Sequence, residues 1–384
     1  MRLSVFTPTH DPGYLAAAYK ELKPQPFDEW LILLNGRATI NDVPVEIITD
    51  PRVRIVSTQT IGSVGALKKE ACTLASGCIL FELDHDDVPR PGAIEKAKQA
   101  FEDPNVVFAY SNCAYFMPIQ YWFPGKDPQN GWVEREYIWG DRTLRETVAP
   151  EPHPCNVSTI HYAPDHFRAF RKDAYLRCGG HDPALHVLDD QNLMCKLYLE
   201  GEFKHIDECL YLYRVDLANT WIKKQAYIDE HVLDDRKMYF PQMAEAWARR
   251  QGLPVFDLTE ESFKDLTNYE PSTLGVVRAY GGLLCGQDLH HTLAAVHRAL
   301  VPGGTLLSAT PAAVMAQAEL FYYTDRAYGN QIGNKTIRFF PALIGRCSVE
   351  QDGQDVASVG AFLVALKQDA EGNELCRIHG RLEI

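Results

Sequence analysis

Short apolar runs alternate with longer mixed segments through the first part of the chain. The predicted strands are "RLSVFTPTH", "EWLILLNG", "RVRIVST", "ILFEL" and "VVFAYSNCAYF". The predicted helices between them are "GYLAAAYKEL", "GSVGALKKEACTLAS" and "PGAIEKAKQAF". Strands that alternate with helices of this length predict an α/β fold with a mostly parallel, doubly wound sheet.

This alternation fails from about Met117 to Asp165, where aromatic residues, prolines, glycines and charges are mixed without a period. Long irregular segments inside compact domains are usually lids or binding loops. We therefore expect the segment to cover the binding cleft and to supply contacts to a second substrate, with Trp132 or Trp139 as a stacking face. Core packing of these aromatics is the alternative. Regular structure then resumes, and this domain ends near Thr220. The charged segment at 222–250 predicts a helical connector.

Length and composition set the class of protein. A chain of 384 residues can form two or three domains, and 46% hydrophobic residues indicate a globular protein. The net charge of −13 argues against a broad grip on nucleic acid or on an anionic membrane. The sequence has neither a signal-peptide core nor a run of about eighteen apolar residues. We therefore expect a cytoplasmic protein without integral membrane contact. None of the ten cysteines forms a CxxC pair, which argues against a zinc ribbon or a thioredoxin motif, and in the cytoplasm we expect them to be reduced.

A group of aspartates at the end of a predicted strand is the first chemical signal. Asp84, Asp86 and Asp87 follow the apolar run that begins at Ile79. Open α/β sheets bind ligands at the carboxyl ends of their strands. Crowded carboxylates repel one another unless a cation joins them, and oxygen ligands suit Mg²⁺ or Mn²⁺. A solvated acidic turn that caps the next helix is the alternative for this stretch alone.

Four segments in a fixed order resemble the family 2 glycosyltransferases. They are "TPTH", "EWLILLNG", "LDHDDVPRPGAIEK" and "GGHDPALHVLDDQNL", and the resemblance covers roughly residues 1–221. Members of that family have the GT-A fold, a Rossmann-like and mostly parallel sheet, and they use nucleotide-sugar donors. The resemblance therefore implies a glycosyltransferase domain that takes a nucleotide sugar, with a UDP-sugar favoured.

The resemblance also implies a metal site. Asp86 stands where the family has its direct ligand to Mn²⁺ or Mg²⁺, and Asp84 where a carboxylate bridges the donor's ribose and the metal. "LYRVDLANTW" resembles the family's Tyr-Arg-x-His segment, with Asp216 in place of the metal-binding histidine. An aspartate can still bind such hard cations.

The catalytic base is implied by the segment "HVLDDQNL". Asp190 matches the second acid of the family's Glu-Asp pair, which accepts the proton of the incoming hydroxyl, and Asp189 would orient it or contact the acceptor. One such base implies inversion at the anomeric carbon. The alternative is that both acids merely favour a helix N-terminus.

The remaining donor contacts are implied for the ends of the first strands and the next helix. Thr7, Pro8 and Thr9 should line the nucleobase by their backbone, and Asn35 stands where the family usually has an aspartate. Lys68 occupies a position that often contacts the donor, although a solvated helix lysine is the alternative.

Residues 251–384 resemble the second half of class I S-adenosylmethionine-dependent methyltransferases. "RALVPGGTLLSATP" matches the turn that follows a helix in that class, and "VASVGAFLVALK" would be a final strand. The strand-like "VFDL" lacks the glycines that a close approach to the cofactor requires. We expect a smaller, degenerate α/β domain that does not bind S-adenosylmethionine and serves a structural role, such as homodimerisation.

These inferences predict a metal-dependent, inverting glycosyltransferase with a methyltransferase-like C-terminal domain. The alternatives are an inactive, transferase-derived binding or scaffold protein, and a bifunctional enzyme that also methylates. The acceptor would be a glycan or a small molecule. Modified DNA is less favoured because the chain is acidic.

Overall fold

The computed structural model describes residues 1–60, 63–116, 133–154, 157, 164–216, 219–259, 261–280, 295–296, 298–311, 338–351 and 354–366. The chain forms two compact units, which are described separately. The first comprises Met1–Pro152 and His161–Val232, and the second comprises His153–Ile160 and Leu233–Ile384. The main division falls inside the helix Gln225–Arg250. The boundaries predicted from the sequence, at 221 and 250, lie on either side of this point and stay predictions.

The first unit contains a large sheet with helices around it. Its strands are β1 Leu3–Thr9, β2 Glu29–Leu34, β3 Val53–Ser57, β4 Ile79–Glu82, β5 Val88–Pro89, β6 Val106–Phe116, β7 Val133–Trp139, β8 Arg142–Val148, β9 Arg168–Arg171 and β10 Glu202–Arg214. Its helices are α1 Leu15–Leu22, α2 Val45–Ile48, α3 Val64–Leu74, α4 Ala93–Ala100, α5 Lys172–Arg177, α6 Asp189–Glu200, α7 Thr220–Lys223 and the start of α8 Gln225–Arg250.

The strands of this sheet follow the order β3-β2-β1-β4-β9-β6-β10-β5, with the hairpin β7–β8 paired to β6. Strands β3, β2, β1 and β4 are parallel, and so are β6 and β10, while β9 lies antiparallel between β4 and β6. All six residues of β2 are buried, as expected for a parallel strand that is covered on both faces. The predicted α/β fold with a mostly parallel sheet is confirmed.

The core fixes which strand ends meet. Trp30 of β2 is fully buried, stacks on Tyr19 of α1 at 6.0 Å between ring centroids, and donates from Nε1 to Thr7 Oγ1 at 2.9 Å. In the parallel register, Thr9 lies opposite Leu34 and Phe6 lies opposite Glu82. The loops after β1, β2 and β4 therefore leave the sheet at the same edge.

The second unit has its own sheet, in the order β11-β12-β13-β15-β14. Its elements are β11 Val255–Asp257, α9 Phe263–Asn268, β12 Leu274–Tyr280, β13 Leu300–Pro311, β14 Arg338–Gln351 and β15 Gln354–Leu366. The first three strands are parallel, and β15 runs antiparallel to both of its neighbours. Leu274 pairs with Leu300 but Val276 pairs with Thr305, so the Pro-Gly-Gly segment leaves the ladder as an irregularity within β13.

The longest described helix is α8, with 26 residues. It carries many charged residues and an internal proline, Pro241. No helix in the described part of the chain combines the length and the apolar character that crossing a membrane requires.

The start of α3 is tied to the loop before α6. Ser63 Oγ accepts from Ala66 N at 3.2 Å as the helix cap and donates to Leu185 O at 2.8 Å. Gly65 N donates to the same carbonyl at 3.0 Å. A Cβ atom on Gly65 would lie 2.0 Å from Asp182 O, so only glycine permits this approach. The contact fixes the loop that leads into α6.

We expect Gly65→Ala to lower the free energy of unfolding by roughly 1–3 kcal/mol, because the added methyl group overpacks against backbone. Alanine in place of a helical glycine ordinarily stabilises a protein by about 0.5–1 kcal/mol, so the sign of the change is diagnostic. Urea unfolding of the two proteins measures it. Equal or greater stability of the variant would show that the close approach is absent.

Candidate active site

A cleft of about 460 Å³ lies in the first unit, at the edge of the sheet where β1, β2 and β4 end. It brings together residues that are far apart in the sequence. The predicted site residues that line it are Pro8, Asn35, Lys68, Asp84, Asp86, Asp189, Asp190 and Asp216.

Thr7 and Thr9 are fully buried in β1 and do not line the cleft. The Thr7 hydroxyl accepts from the Trp30 indole, and Thr9 Oγ1 accepts from Asp11 N at 3.1 Å. Their side chains therefore hold the strand and the following turn. Asn35 is partly exposed, and its backbone N donates to Thr9 O at 2.9 Å, which joins the ends of β1 and β2.

The three aspartates of the loop after β4 differ in how deeply they are buried. Asp87 is 2% exposed, and its Oδ1 accepts from Arg214 N at 2.7 Å, so this carboxyl group ties the loop to β10. Asp84 and Asp86 are only half-buried and face the cleft. Burial raises the pKa of Asp84 to about 6; Lys68 opposes the shift, whereas Glu82 and Asp86 add to it. A simple solvated acidic turn does not describe this loop.

His166 joins this acidic loop from a distant part of the chain. Its ring lies between those of Tyr211 and Tyr213, at centroid distances of 4.8 and 5.1 Å, and its Nε2 lies 3.9 Å from Asp84 Oδ2. Burial, reinforced by Arg168, lowers the pKa of His166 to about 3, so the ring is neutral.

Potential ligand atoms of Asp84, Asp87 and His166 all lie within 4.8 Å of one another. Carboxylate oxygens with a neutral imidazole form a donor set that fits Mn²⁺ or Mg²⁺. Of the three predicted ligands, Asp84 belongs to this group, while Asp86 and Asp216 line the same cleft outside it. Asp216 Oδ2 accepts from Arg214 Nε at 3.0 Å.

Five ionisable side chains, four of them buried and Asp190 partly exposed, form a series of alternating charge that we call the charge chain: Asp189, Lys68, Glu82, Arg168 and Asp190. Lys68 Nζ lies 3.0 Å from Asp189 Oδ2 and 2.8 Å from Glu82 Oε1. Arg168 donates from Nη1 to the same Glu82 oxygen at 3.2 Å and from Nη2 to Asp190 Oδ2 at 2.8 Å. Lys68 is 7% exposed, so it is not the solvated helix lysine considered above.

Within the charge chain, the pKa values of the two acids of α6 are shifted in opposite directions. Burial would raise the pKa of Asp190, but Arg168 and Lys68 outweigh it, so the pKa lies below its usual value. Burial likewise raises the pKa of Asp189, and here Lys68 does not fully offset it, so the pKa stays above the usual value. Asp190 is therefore the more firmly ionised acid of the pair.

Leu188 directly precedes the two acids and has φ 62°, a left-handed conformation that is uncommon for a leucine. This turn starts α6 at Asp189 and places both acids in its first turn. Strained backbone of this kind persists where the surroundings hold it in place.

The aromatic segment does not supply the expected stacking face from Trp139. That side chain packs edge-to-face on Phe116 at a centroid distance of 5.4 Å, within a small apolar cluster, and does not line the cleft. Trp132 lies outside the described residues.

Sequence comparison finds two similar proteins from Pasteurella multocida. The chain is 25% identical to hyaluronan synthase over 219 residues, which is 56% of this chain and 19% of that protein. It is 26% identical to the chondroitin synthase of strain Pm70 over 176 residues, which is 45% of this chain and 16% of that protein. The chain thus spans less than a fifth of the length of these curated relatives. No protein-family model matches the chain.

Structure comparison finds Staphylococcus aureus TarS 1–349, with a TM-score of 0.47 and 13% sequence identity. The match covers 99% of this chain and 100% of that one. A TM-score of this size does not establish a common fold, so the sheet order above remains the basis for describing the architecture.

We expect Lys68→Met to lower the free energy of unfolding by about 3–5 kcal/mol, because Glu82 and Asp189 would stay buried with one cation fewer. Thermal and urea unfolding measure the loss. Lys69→Met is the matched control, because the partly exposed Lys69 donates from Nζ to Gly179 O at 3.1 Å in an exposed hydrogen bond. The control should change the stability by less than about 0.5 kcal/mol. Equal effects of the two variants would contradict the structural role of Lys68.

Proposed function

We propose that the first unit is a metal-dependent, inverting glycosyltransferase that moves a sugar from a nucleotide-diphosphate donor to an acceptor hydroxyl. The observation that carries the proposal is that two pairs of aspartates lie in one cleft. Asp84 and Asp86 lie at the end of β4, and Asp189 and Asp190 lie at the start of α6. The similarity to a hyaluronan synthase over 219 residues and to a chondroitin synthase over 176 residues supports it.

The two pairs of aspartates differ in how far nearby cations balance their negative charge. Lys68 and Arg168 already balance the acids of α6, whereas Asp84 is pushed toward protonation by burial and by its acidic neighbours. A divalent cation at Asp84 would relieve that repulsion. Asp87 and His166 lie within reach of the same ion, and Asp86 and Asp216, the other ligands that we propose, line the same cleft. When bound, such a cation would neutralise the charge that grows on the departing diphosphate.

The donor is proposed to lie along the edge formed by β1, β2 and β4. Pro8 and Asn35 would border the nucleobase, with UDP favoured, and Asp84 would hold the ribose. Lys68 lines the cleft, but its ammonium group already contacts two carboxylates. Its larger part in binding is therefore to hold Asp189, with a direct donor contact as an added role.

Asp190 is the proposed general base. Arg168 holds Asp190 Oδ2, and the low pKa keeps this carboxylate ionised, as an acceptor of protons must be. The same ion pair fixes the direction in which the remaining lone pairs point. Asp189, held by Lys68, would orient its neighbour or contact the acceptor.

The second unit is proposed to be a truncated, methyltransferase-like domain without an S-adenosylmethionine site. Its three parallel strands followed by an antiparallel pair, and the departure of the Pro-Gly-Gly segment from the ladder, support this assignment. Homodimerisation through this unit and a cytoplasmic location stay predictions from the sequence. An inactive binding protein remains the rival for the first unit.

Release of UDP from UDP-sugars, assayed with and without Mn²⁺, tests the function directly. The proposal requires metal-dependent release from at least one nucleotide sugar in a panel that also includes GDP-sugars. Metal-dependent binding without any release would favour the inactive binding protein.

Asp86→Asn should weaken Mn²⁺-dependent UDP binding by at least roughly 100-fold, since outer-shell changes alone cost 10- to 100-fold at metal sites. Titration calorimetry with and without Mn²⁺ measures this. Asp11→Asn is the control, because Asp11 is an exposed carboxylate that lines the cleft outside both groups. Undiminished Mn²⁺-dependent affinity in Asp86→Asn would remove Asp86 from the metal site.

Asp190→Asn should bind donor and metal normally but transfer sugar about 100- to 10,000-fold more slowly, the usual cost of losing a general base. Asp189→Asn should be milder if Asp189 only orients its neighbour. Single-turnover transfer rates, combined with donor affinities, separate the two effects. The opposite ranking would assign the base to Asp189, and near-normal transfer by both variants would contradict the proposed function.

A further inference from the structure

An apolar wall adjoins the acids of α6 within the same cleft. Its members all line the cleft and come from three segments of the first unit: Val64, Leu67, Val187, Leu188, Trp221 and Ile228. Val187, Leu188 and Ile228 form a buried cluster, and Trp221 packs against it while remaining partly exposed. We propose that this wall is the acceptor subsite and that it takes a neutral sugar ring, stacked on the Trp221 indole. The proposal rests on the proposed function and names its acceptor class.

The position of the wall follows from the base. An acceptor hydroxyl must reach within hydrogen-bonding distance of the carboxylate that takes its proton. Val187 and Leu188 immediately precede Asp189 and Asp190, and the left-handed turn at Leu188 brings both kinds of residue to the same cleft. A ring bound on the wall would therefore lie beside the acid pair.

The chemistry of the wall favours a pyranose. The C–H face of a sugar ring is apolar and packs on aromatic and aliphatic side chains, while its hydroxyl groups stay at the rim for polar partners. In the proposed subsite Trp221 would supply the aromatic surface, and Ile228, which is 1% exposed, belongs to the buried cluster against which Trp221 packs.

Charge decides between neutral and anionic acceptors. Among the described residues, seven aspartates and three cations line the cleft. Two of these cations, Lys68 and Arg168, are already held in the charge chain, and the third, Lys223, is exposed. A divalent cation and the donor diphosphate would largely cancel each other. A phosphate or uronate group on the acceptor would then face an excess of carboxylates, which is unfavourable.

The test uses the full chain with UDP and Mn²⁺, a panel of tetrasaccharides and one DNA oligomer. Neutral probes are chitotetraose, cellotetraose and maltotetraose; anionic probes are tetragalacturonic acid and a single-stranded DNA dodecamer. Saturation-transfer NMR reports contact with each probe, and titration gives its affinity. At least one neutral probe should bind, and neither anionic probe should bind as tightly.

Trp221→Ala should weaken binding of that neutral probe by about tenfold, because stacking and apolar contact are lost together. Trp221→Phe should retain most of the affinity, and both variants should bind UDP with Mn²⁺ as the natural chain does. Trp139→Ala is the matched control, since Trp139 packs on Phe116 away from the cleft. In transfer assays with an active acceptor, the alanine change should raise the acceptor KM and leave the donor KM unchanged.

Three results would overturn the subsite. They are tighter binding of tetragalacturonic acid or DNA, failure of every neutral probe to bind, and unchanged neutral-sugar binding in Trp221→Ala. Each can occur while Mn²⁺-dependent release of UDP from UDP-sugars persists, so the subsite can fail without the proposed function. Absence of that release in the natural chain would count against the proposed function itself.

Discussion

The shared carboxylate of Glu82 is the contact on which the rest of the site depends. It lies at the end of β4 with 1% of its surface exposed and binds both Lys68 of α3 and Arg168 of β9. A buried charge without partners would cost several kcal/mol, so each member of the charge chain is tolerable only because its neighbours are opposite in sign. The sheet and two helices are thereby fixed in one arrangement around the acids of α6. Such a network contributes more to a unique geometry than to net stability.

This arrangement balances the negative charge of one pair of acids, Asp189 and Asp190, and leaves the charge of the other pair, Asp84 and Asp86, unbalanced. The acids of α6 receive a cation each, whereas Asp84 and Asp86 have acidic neighbours and a cleft in front of them. When their surroundings shift the pKa values of two carboxyl groups in opposite directions, the two groups can take different roles in one site. The difference supports the proposed placement of a divalent cation beside the β4 loop and of a proton acceptor beside α6.

Much of this could be predicted from local patterns, because strands, helix starts and acidic loops are written in consecutive residues. The α/β fold followed from such patterns, whereas the common site of Asp84, Asp86 and Asp190 was implied by the resemblance to the family 2 glycosyltransferases. His166 and Arg168 could not be found this way, since β9 meets β4 only through antiparallel insertion into the sheet. Glu82 was masked by its apolar neighbours in β4. Trp139 was misjudged because aromatic density does not tell whether a side chain packs on a hairpin or faces a cleft.

The two halves of the cleft are encoded in different kinds of structure. The proposed donor half is built from the ends of β1, β2 and β4, where core packing and register allow little change. The apolar wall draws Trp221 from the short helix α7 and Ile228 from the start of α8, both of which follow β10. Residues there can change without disturbing the strand ladder. Acceptor preference can therefore diverge while the carboxylate groups and the charge chain stay in place, which is how a fold keeps one reaction and varies its substrate.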